Sequence, residues 1–164
     1  MTVAQETAEP ETSGPEIAFR WDAFQELSAV EVHDLLRLRS LVFVVEQACV
    51  FAEIDGRDPE AIHLRQFVGE DLAGCLRILG DGDAIRIGRI ATAAAYRGRG
   101  YGHEMMAEAL RYAAWRFAGR DVLISAQAHL EAFYGRHGFV VISAPYDEDG
   151  IPHIDMRRAG SPGA

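Results

Sequence analysis

Between a strand-like run that ends near Thr92 and a helical run that begins near Gly102 lies Arg97-Gly98-Arg99-Gly100-Tyr101-Gly102, with glycine at every second position. No other segment constrains the fold as much. Alternating glycines let successive backbone N–H groups turn toward one point, and a helix that follows directly adds its unpaired first-turn donors and positive dipole end. Such a junction is an anion cradle suited to a diphosphate, and it demands a strand, a tight turn and a helix in that order. Two nucleotide-binding patterns of this kind do not fit. The P-loop G-x-x-x-x-G-K-[ST] needs a lysine, and all 16 basic side chains among the 164 residues are arginine. The dinucleotide fingerprint G-x-G-x-x-G would need glycine at 103 or 105, where His103 and Met105 stand, and the strand before the turn is not the first of a parallel strand-helix-strand unit. Lack of lysine also excludes Schiff-base chemistry and the kinase strand lysine, which arginine's permanently charged planar fork cannot replace.

The rest of the chain supplies elements for one domain. With 49% of residues apolar and 25% charged, a single core is expected. Residues 1–16 carry Glu6, Glu9, Glu11 and Glu16 with Pro10 and Pro15 and no basic side chain, so they read as a disordered acidic tail. The domain is expected over 17–158, and 159–164 (AGSPGA is the final stretch) as a flexible tail. The net charge is −9, and the body remains acidic without its tail, which argues against nucleic acid or an anionic membrane as partner. Cys49 and Cys75 form no C-x-x-C pair and the six histidines show no ligand spacing, so no metal is expected. No run reaches the roughly 18 apolar residues of a membrane span and the start lacks a signal-peptide pattern, so the expectation is a cytoplasmic protein.

Ile17, Phe19 and Trp21 alternate with polar or small residues as in a half-buried strand, and Ser28-Ala29-Val30-Glu31 has capping-box spacing for a first helix. Residues 48–60 read as a loop or broken helix. Strand-like runs at 63–68, 72–79 and 84–92 are joined by hairpin-length turns, with a bulge or close backbone approach expected at Gly88. A helix over 102–118 follows, with Met106, Leu110, Ala113 and Phe117 as its apolar stripe, then strand 121–126, a short helix near 129–137, strand 139–142, an acidic turn and a last strand around 153–157. The fold class is α/β of the α+β type: one domain with a central mixed, largely antiparallel sheet of six to seven strands flanked by about four helices.

Arg97-x-x-Gly100-x-Gly102 fits [QR]-x-x-G-x-[GA], and Phe133-Tyr134-Gly135-Arg136-His137-Gly138-Phe139 follows about thirty residues later with a strand between. In these two motifs the chain resembles the GNAT superfamily of acyl-CoA-dependent N-acyltransferases, whose glycine turn binds the pyrophosphate of coenzyme A. Arg39-x-x-Val42-Phe43-Val44-Val45-Glu46-Gln47, the run Ala126-Gln127-Ala128-His129-Leu130 and the run from Tyr146 to His153 are similar to the ElaA-like subgroup. The resemblance covers roughly residues 18–158 and implies a GNAT-like fold.

It also implies an N-acetyltransferase that moves an acetyl group from acetyl-CoA to a primary amine through a tetrahedral intermediate. A lysine-like amine of pKa about 10.4 is only roughly 0.04% neutral at pH 7, a cost near 4.6 kcal/mol that a base or desolvation must offset. Glu46, at the end of the first helical segment, is the first candidate for that base, and Glu53, Asp55 and His153 are candidates for the acceptor site. The family's oxyanion donor falls at the Ile90 backbone N–H, with Ala91 and Thr92 holding the pantetheine amides. Tyr134 corresponds to the general acid for the departing thiolate. The pyrophosphate set is Arg97, Gly98, Arg99, Gly100, Tyr101 and Gly102, and Gln127, where many members place asparagine, joins the cofactor residues. The acceptor, a small-molecule or protein amine, is expected between loop 48–60 and turn 144–154, whose acidity suits a cation. A non-catalytic acyl-CoA sensor is the alternative function, and monomer or homodimer remain open.

Overall fold

Alternation of Ile17, Phe19 and Trp21 builds β1 (Ile17–Ala23), the edge of an eight-stranded sheet in a computed structural model that describes residues 14–162. Most of the expected acidic tail thus lies outside the described residues, as do residues 163 and 164. The first helix, α1 (Ala29–Ser40), is capped as its sequence requires. Ser28 Oγ accepts from the Glu31 N–H at 3.3 Å while Glu31 Oε2 accepts from the Ser28 N–H at 2.8 Å. It runs on into a wider π-helical turn, Leu41–Glu46.

The meander follows as β2 (Ile62–Val68), β3 (Asp71–Asp81) and β4 (Ala84–Thr92), antiparallel throughout. Then α2 (Tyr101–Arg116) crosses over to β5 (Val122–Gln127), which lies parallel to β4. The chain closes with α3 (Glu131–Gly135), β6 (Val140–Val141), β7 (Tyr146–Glu148) and β8 (Ile151–Arg158). Strand order is β1-β2-β3-β4-β5-β8-β6, with β7 also paired to β8. The strands thus number eight against the six to seven expected, because the acidic turn carries the three-residue β7. Residues 159–162 fold back on the turn before β5: Gly160 N–H donates to Asp121 Oδ1 at 2.9 Å and Gly119 N–H to the Ser161 carbonyl at 2.8 Å.

Period-two alternation sorts β3 between two cores. Leu76 and Ile78 face α2, where Met105, Met106, Ala109 and Ala113 are buried with Ile85, Ile87, Val122 and Ile124. Cys75 faces α1 and packs with Leu35, Leu38, Val42 and Ala91. Each large apolar side chain buried this way contributes about 1.5–3 kcal/mol. The α2 stripe differs from the expected one, running through Met105, Met106, Ala109 and Ala113. The helix starts one residue earlier than its apolar pattern implied, at Tyr101, and Leu110 and Phe117 pack only partly buried against the core. Among the described residues no helix is long and apolar enough to cross a membrane.

Two features open the sheet at its middle. Arg89 and Ile90 together oppose Leu76, a bulge that falls one residue past Gly88 and puts the non-glycine Arg89 at φ 53°. The parallel pair β4–β5 holds only at Ile85–Val122 and Arg86–Leu123. Beyond those pairs the strands part, leaving a wedge between 88–92 and 125–127.

Candidate active site

The glycine turn is a built donor cluster. Gly98 and Gly100 take φ 73° and 86°, the left-handed region where a side chain is disfavoured, and Gly100 caps α2. Among the described residues the backbone N–H groups from Gly98 to His103 have no acceptor; the first helical bond is Glu104 N–H to the Gly100 carbonyl. Six free donors at a helix start, with the dipole behind them, are a site for a doubly charged anion. Gly102 lies against Phe133 of α3, where an added Cβ would sit 3.6 Å from the ring.

From this cradle a groove of about 520 Å3 runs along the parted edge of β4, over Ile90, Ala91 and Thr92, to Gln127, Leu130, Phe133 and Tyr134, with Val42, Phe43, Glu46 and Gln47 of the π-helical turn as its other bank. A second cavity of about 370 Å3 continues beyond it. The two share Phe43, Gln47, Ile90, Gln127 and Tyr134, which form the neck between them. At this neck Tyr134 is 95% buried, held edge-on by Phe133 and Phe139, and its hydroxyl has no hydrogen-bond partner among the described residues. Burial pushes its pKa up to about 12, so it stays protonated across the neutral range.

Of the residues singled out in the sequence, Ile90, Ala91, Thr92, Arg97, Gly98, Gly100, Gly102 and Gln127 line the groove. Arg99 and Tyr101 do not. The Tyr101 ring packs beside Val68 and Ala73, and its carbonyl accepts from the buried Gln66 amide at 3.0 Å, so only its N–H belongs to the cradle. His153 lines the second cavity. Its Nδ1 lies 2.7 Å from the Ile151 carbonyl, which can only accept, so that nitrogen carries the hydrogen and Nε2 is left 3.4 Å from the Glu148 carboxylate.

The three acids proposed for catalysis and acceptor binding stand elsewhere than expected. Glu46 is in the groove, on the cradle side, where both its oxygens accept from the Arg97 guanidinium, and that hydrogen bonding holds its pKa below the usual carboxylate range. Glu53 and Asp55 do not line the second cavity. Glu53 is buried against Arg39, with Nε to Oε1 at 2.7 Å, and against Arg89. Asp55 accepts from Arg77 and Arg89, and Arg77 with a neighbouring backbone N–H holds its pKa well below the usual range. The buried Asp58 completes the cluster, bridging Arg39 at 2.6 Å and Arg77 at 3.0 Å. Acids near one another in sequence thus face inward because arginines from α1, β3 and β4 meet them there. Sequence reasoning gave these arginines no role, although Arg39 heads a family-like motif and lies on the helical stripe of Leu35 and Val42, and Arg77 sits inside the apolar strand LAGCLRIL. A lone arginine on a buried face is a readable sign of a paired interior charge.

A β4 bulge, a parted parallel pair and a backbone donor cluster at one helix start form the architecture of an acyl-CoA N-acyltransferase, shared with solved proteins of that class. The chain belongs to the GNAT acetyltransferase family, whose acetyltransferase (GNAT) domain profile matches residues 31–159. Among its relatives is protein ElaA of Escherichia coli K12, 38% identical over 138 residues that span 81% of this chain and 90% of ElaA. The crystal structure of E. coli ElaA superposes with a TM-score of 0.82 over 87% of this chain and 99% of that one. An acyl-CoA N-acyltransferase from Pseudomonas aeruginosa superposes with a TM-score of 0.84 at 41% identity, over 88% of this chain and 100% of the other. A GNAT family acetyltransferase from Elizabethkingia anophelis, solved with acetyl-CoA bound, shares the fold at 16% identity and a TM-score of 0.62, over 89% of this chain and 97% of that one.

Proposed function

We propose that the chain transfers an acetyl group from acetyl-CoA to a primary amine. The observation that carries this reading is the neck at Tyr134: one groove leads to it from an anion cradle, one cavity from the opposite side, and a buried, protonated hydroxyl stands where they meet. Coenzyme A lies with its pyrophosphate on the free N–H groups of 98–103 and its thioester at Ile90. The amine nitrogen, entering from the second cavity, attacks the thioester carbonyl carbon. The resulting oxyanion takes a hydrogen bond from the Ile90 N–H on the bulge. As the intermediate collapses the C–S bond breaks and the sulfur takes the Tyr134 proton.

For the proton that leaves the amine, His153 is better placed than Glu46. Its Nε2 is the basic nitrogen, it belongs to the acceptor side of the neck, and Glu148 stabilises the imidazolium that forms. Glu46 instead orients Arg97, whose Nε is also fixed by the Thr92 carbonyl at 3.0 Å, at the rim of the cradle. The test is a thiol-release assay with acetyl-CoA and a panel of amines, paired with calorimetry of acetyl-CoA binding. Amine-dependent release is expected. Binding of acetyl-CoA with no amine accelerating its breakdown would replace this reading with the non-catalytic sensor.

A further inference from the structure

The acceptor cavity has two walls of opposite character. Loop 48–60 was expected to make it anionic, yet Glu53, Asp55 and Asp58 lie behind the wall, each held by arginine, and none lines the cavity. What lines it on that side is guanidinium: Arg77 from β3, Arg86 and Arg89 from β4, and Arg57 from the loop. Each keeps an unused donor: Arg57 gives only Nε, to Glu60, and Arg77 Nε has no partner among the described residues. Arg86 gives Nε to Asp81 and Nη1 to Ser125, and Arg89 gives Nη2 to the Glu53 carbonyl and Asp55, which leaves Arg86 Nη2 and Arg89 Nη1 without a partner among the described residues. Across the cavity the β7–β8 hairpin presents Glu148, Asp149 and the imidazole of His153. A cation has its counter-charge on the hairpin wall, and a second cation would have to face the guanidinium wall. A carboxylate there meets planar, forked donors suited to it.

We infer that the acceptor is a small zwitterion of the amino-acid type, an amine that carries a carboxylate, with the nitrogen between His153 and the Tyr134 neck and the carboxylate against Arg86 and Arg89. This rests on the transferase reading above and names its substrate class. The wall presents N–H donors that a second ammonium group cannot use, so polyamines and other multiply cationic amines are poor acceptors.

The test uses the full chain with acetyl-CoA and matched pairs that differ by one carboxylate: lysine and cadaverine, histidine and histamine, phenylalanine and 2-phenylethylamine. For each pair kcat/KM is measured by thiol release, and binding to the CoA-saturated protein by calorimetry. The amino acid is expected to exceed its decarboxylated partner at least tenfold in both. In Arg86→Gln the advantage shrinks at least fivefold with acetyl-CoA affinity unchanged. The difference in amine basicity within a pair is the same for both proteins and cancels in that comparison. Arg89→Gln, at the other residue assigned to the carboxylate, serves as the second variant and should reduce the advantage if Arg86→Gln fails to fold. Turnover with equal or better use of the decarboxylated amines would overturn the inference and leave the transferase reading standing. Selective binding of the amino acids without any turnover would keep the amino-acid site but overturn the transferase reading, and with it the acceptor assignment. Absence of both binding and turnover would overturn both.

Discussion

Replacing Tyr134 by phenylalanine removes one oxygen from the neck and nothing else. The hydroxyl makes no hydrogen bond to the protein, and the ring's contacts with Phe133 and Phe139 survive, so the fold should lose little. Catalysis should lose much. With its pKa pushed up to about 12, the hydroxyl at pH 8 is ionised in only about one molecule in ten thousand, so a proton is always available. A coenzyme A thiol, near 8.5 in water, is less basic as its anion than a phenolate, but burial at the neck raises the thiol as it raises the phenol. The phenol therefore remains the weaker acid, and its proton passes as negative charge builds on the sulfur while the C–S bond lengthens. Loss of a positioned general acid typically costs 10²–10⁴ in rate, about 2.7–5.5 kcal/mol of transition-state stabilisation. The expected signature of Tyr134→Phe is kcat lowered at least a hundredfold in the thiol-release assay, with calorimetric acetyl-CoA affinity within threefold and the melting temperature within about 3 °C. A variant with kcat within threefold of the parent would refute the acid role and the reading of the neck as the reacting centre.

Gly100→Glu puts a side chain at φ 86° and a negative charge among the cradle's donors, so acetyl-CoA binding should vanish in calorimetry while circular dichroism keeps its helical signal. Arg39 is only 1% exposed, and Arg39→Met leaves the three carboxylates Glu53, Asp55 and Asp58 with two arginines, Arg77 and Arg89, so one buried negative charge is uncompensated. Uncompensated buried charge typically costs 3–5 kcal/mol, so the melting temperature should fall by roughly 6–20 °C, and a fall under 2 °C would contradict the network's role. The Cys75 thiol and the Tyr134 phenol are both pushed up to about 12 by burial, so the unfolded chain, with ordinary thiol and phenol values, releases these protons first as pH rises. Stability is therefore full below about pH 8.5 and declines toward pH 12, read as a falling urea midpoint, and Cys75→Ala should flatten the decline. His153→Gln should lower kcat with calorimetric acetyl-CoA affinity unchanged, whereas Glu46→Gln should raise the KM for acetyl-CoA with a smaller effect on kcat.

Much of the fold was legible because local chemistry specifies it. The Ser28–Glu31 capping box, the alternation of β1, the hairpin turns and the glycine-to-helix junction each encode a local geometry that packing has only to accept. The same holds for the backbone part of the site. Donors supplied by the main chain at 98–103 follow from where glycines stand, whatever the rest of the protein does. The α2 stripe and the strand count were less secure, since the adjacent apolar positions 105 and 106, and 109 and 110, lie only about 100° apart around the helix and packing alone chooses between them, and a three-residue strand carries no periodicity.

What sequence alone determined, then, is the glycine-turn side: a cluster of backbone donors at a helix start, a strand that feeds it and a tyrosine motif about thirty residues on. What only the tertiary structure decided is the acceptor side. Loop 48–60 reads as acidic because Glu53, Asp55 and Asp58 are close in sequence, but the arginines that neutralise them come from positions 39, 77 and 89, on three separate elements. A charge's effect depends on its distance to every other charge in space, and residues tens of positions apart become neighbours only when α1, β3 and β4 pack. Folding thus turns an acidic loop into the backing of a guanidinium wall.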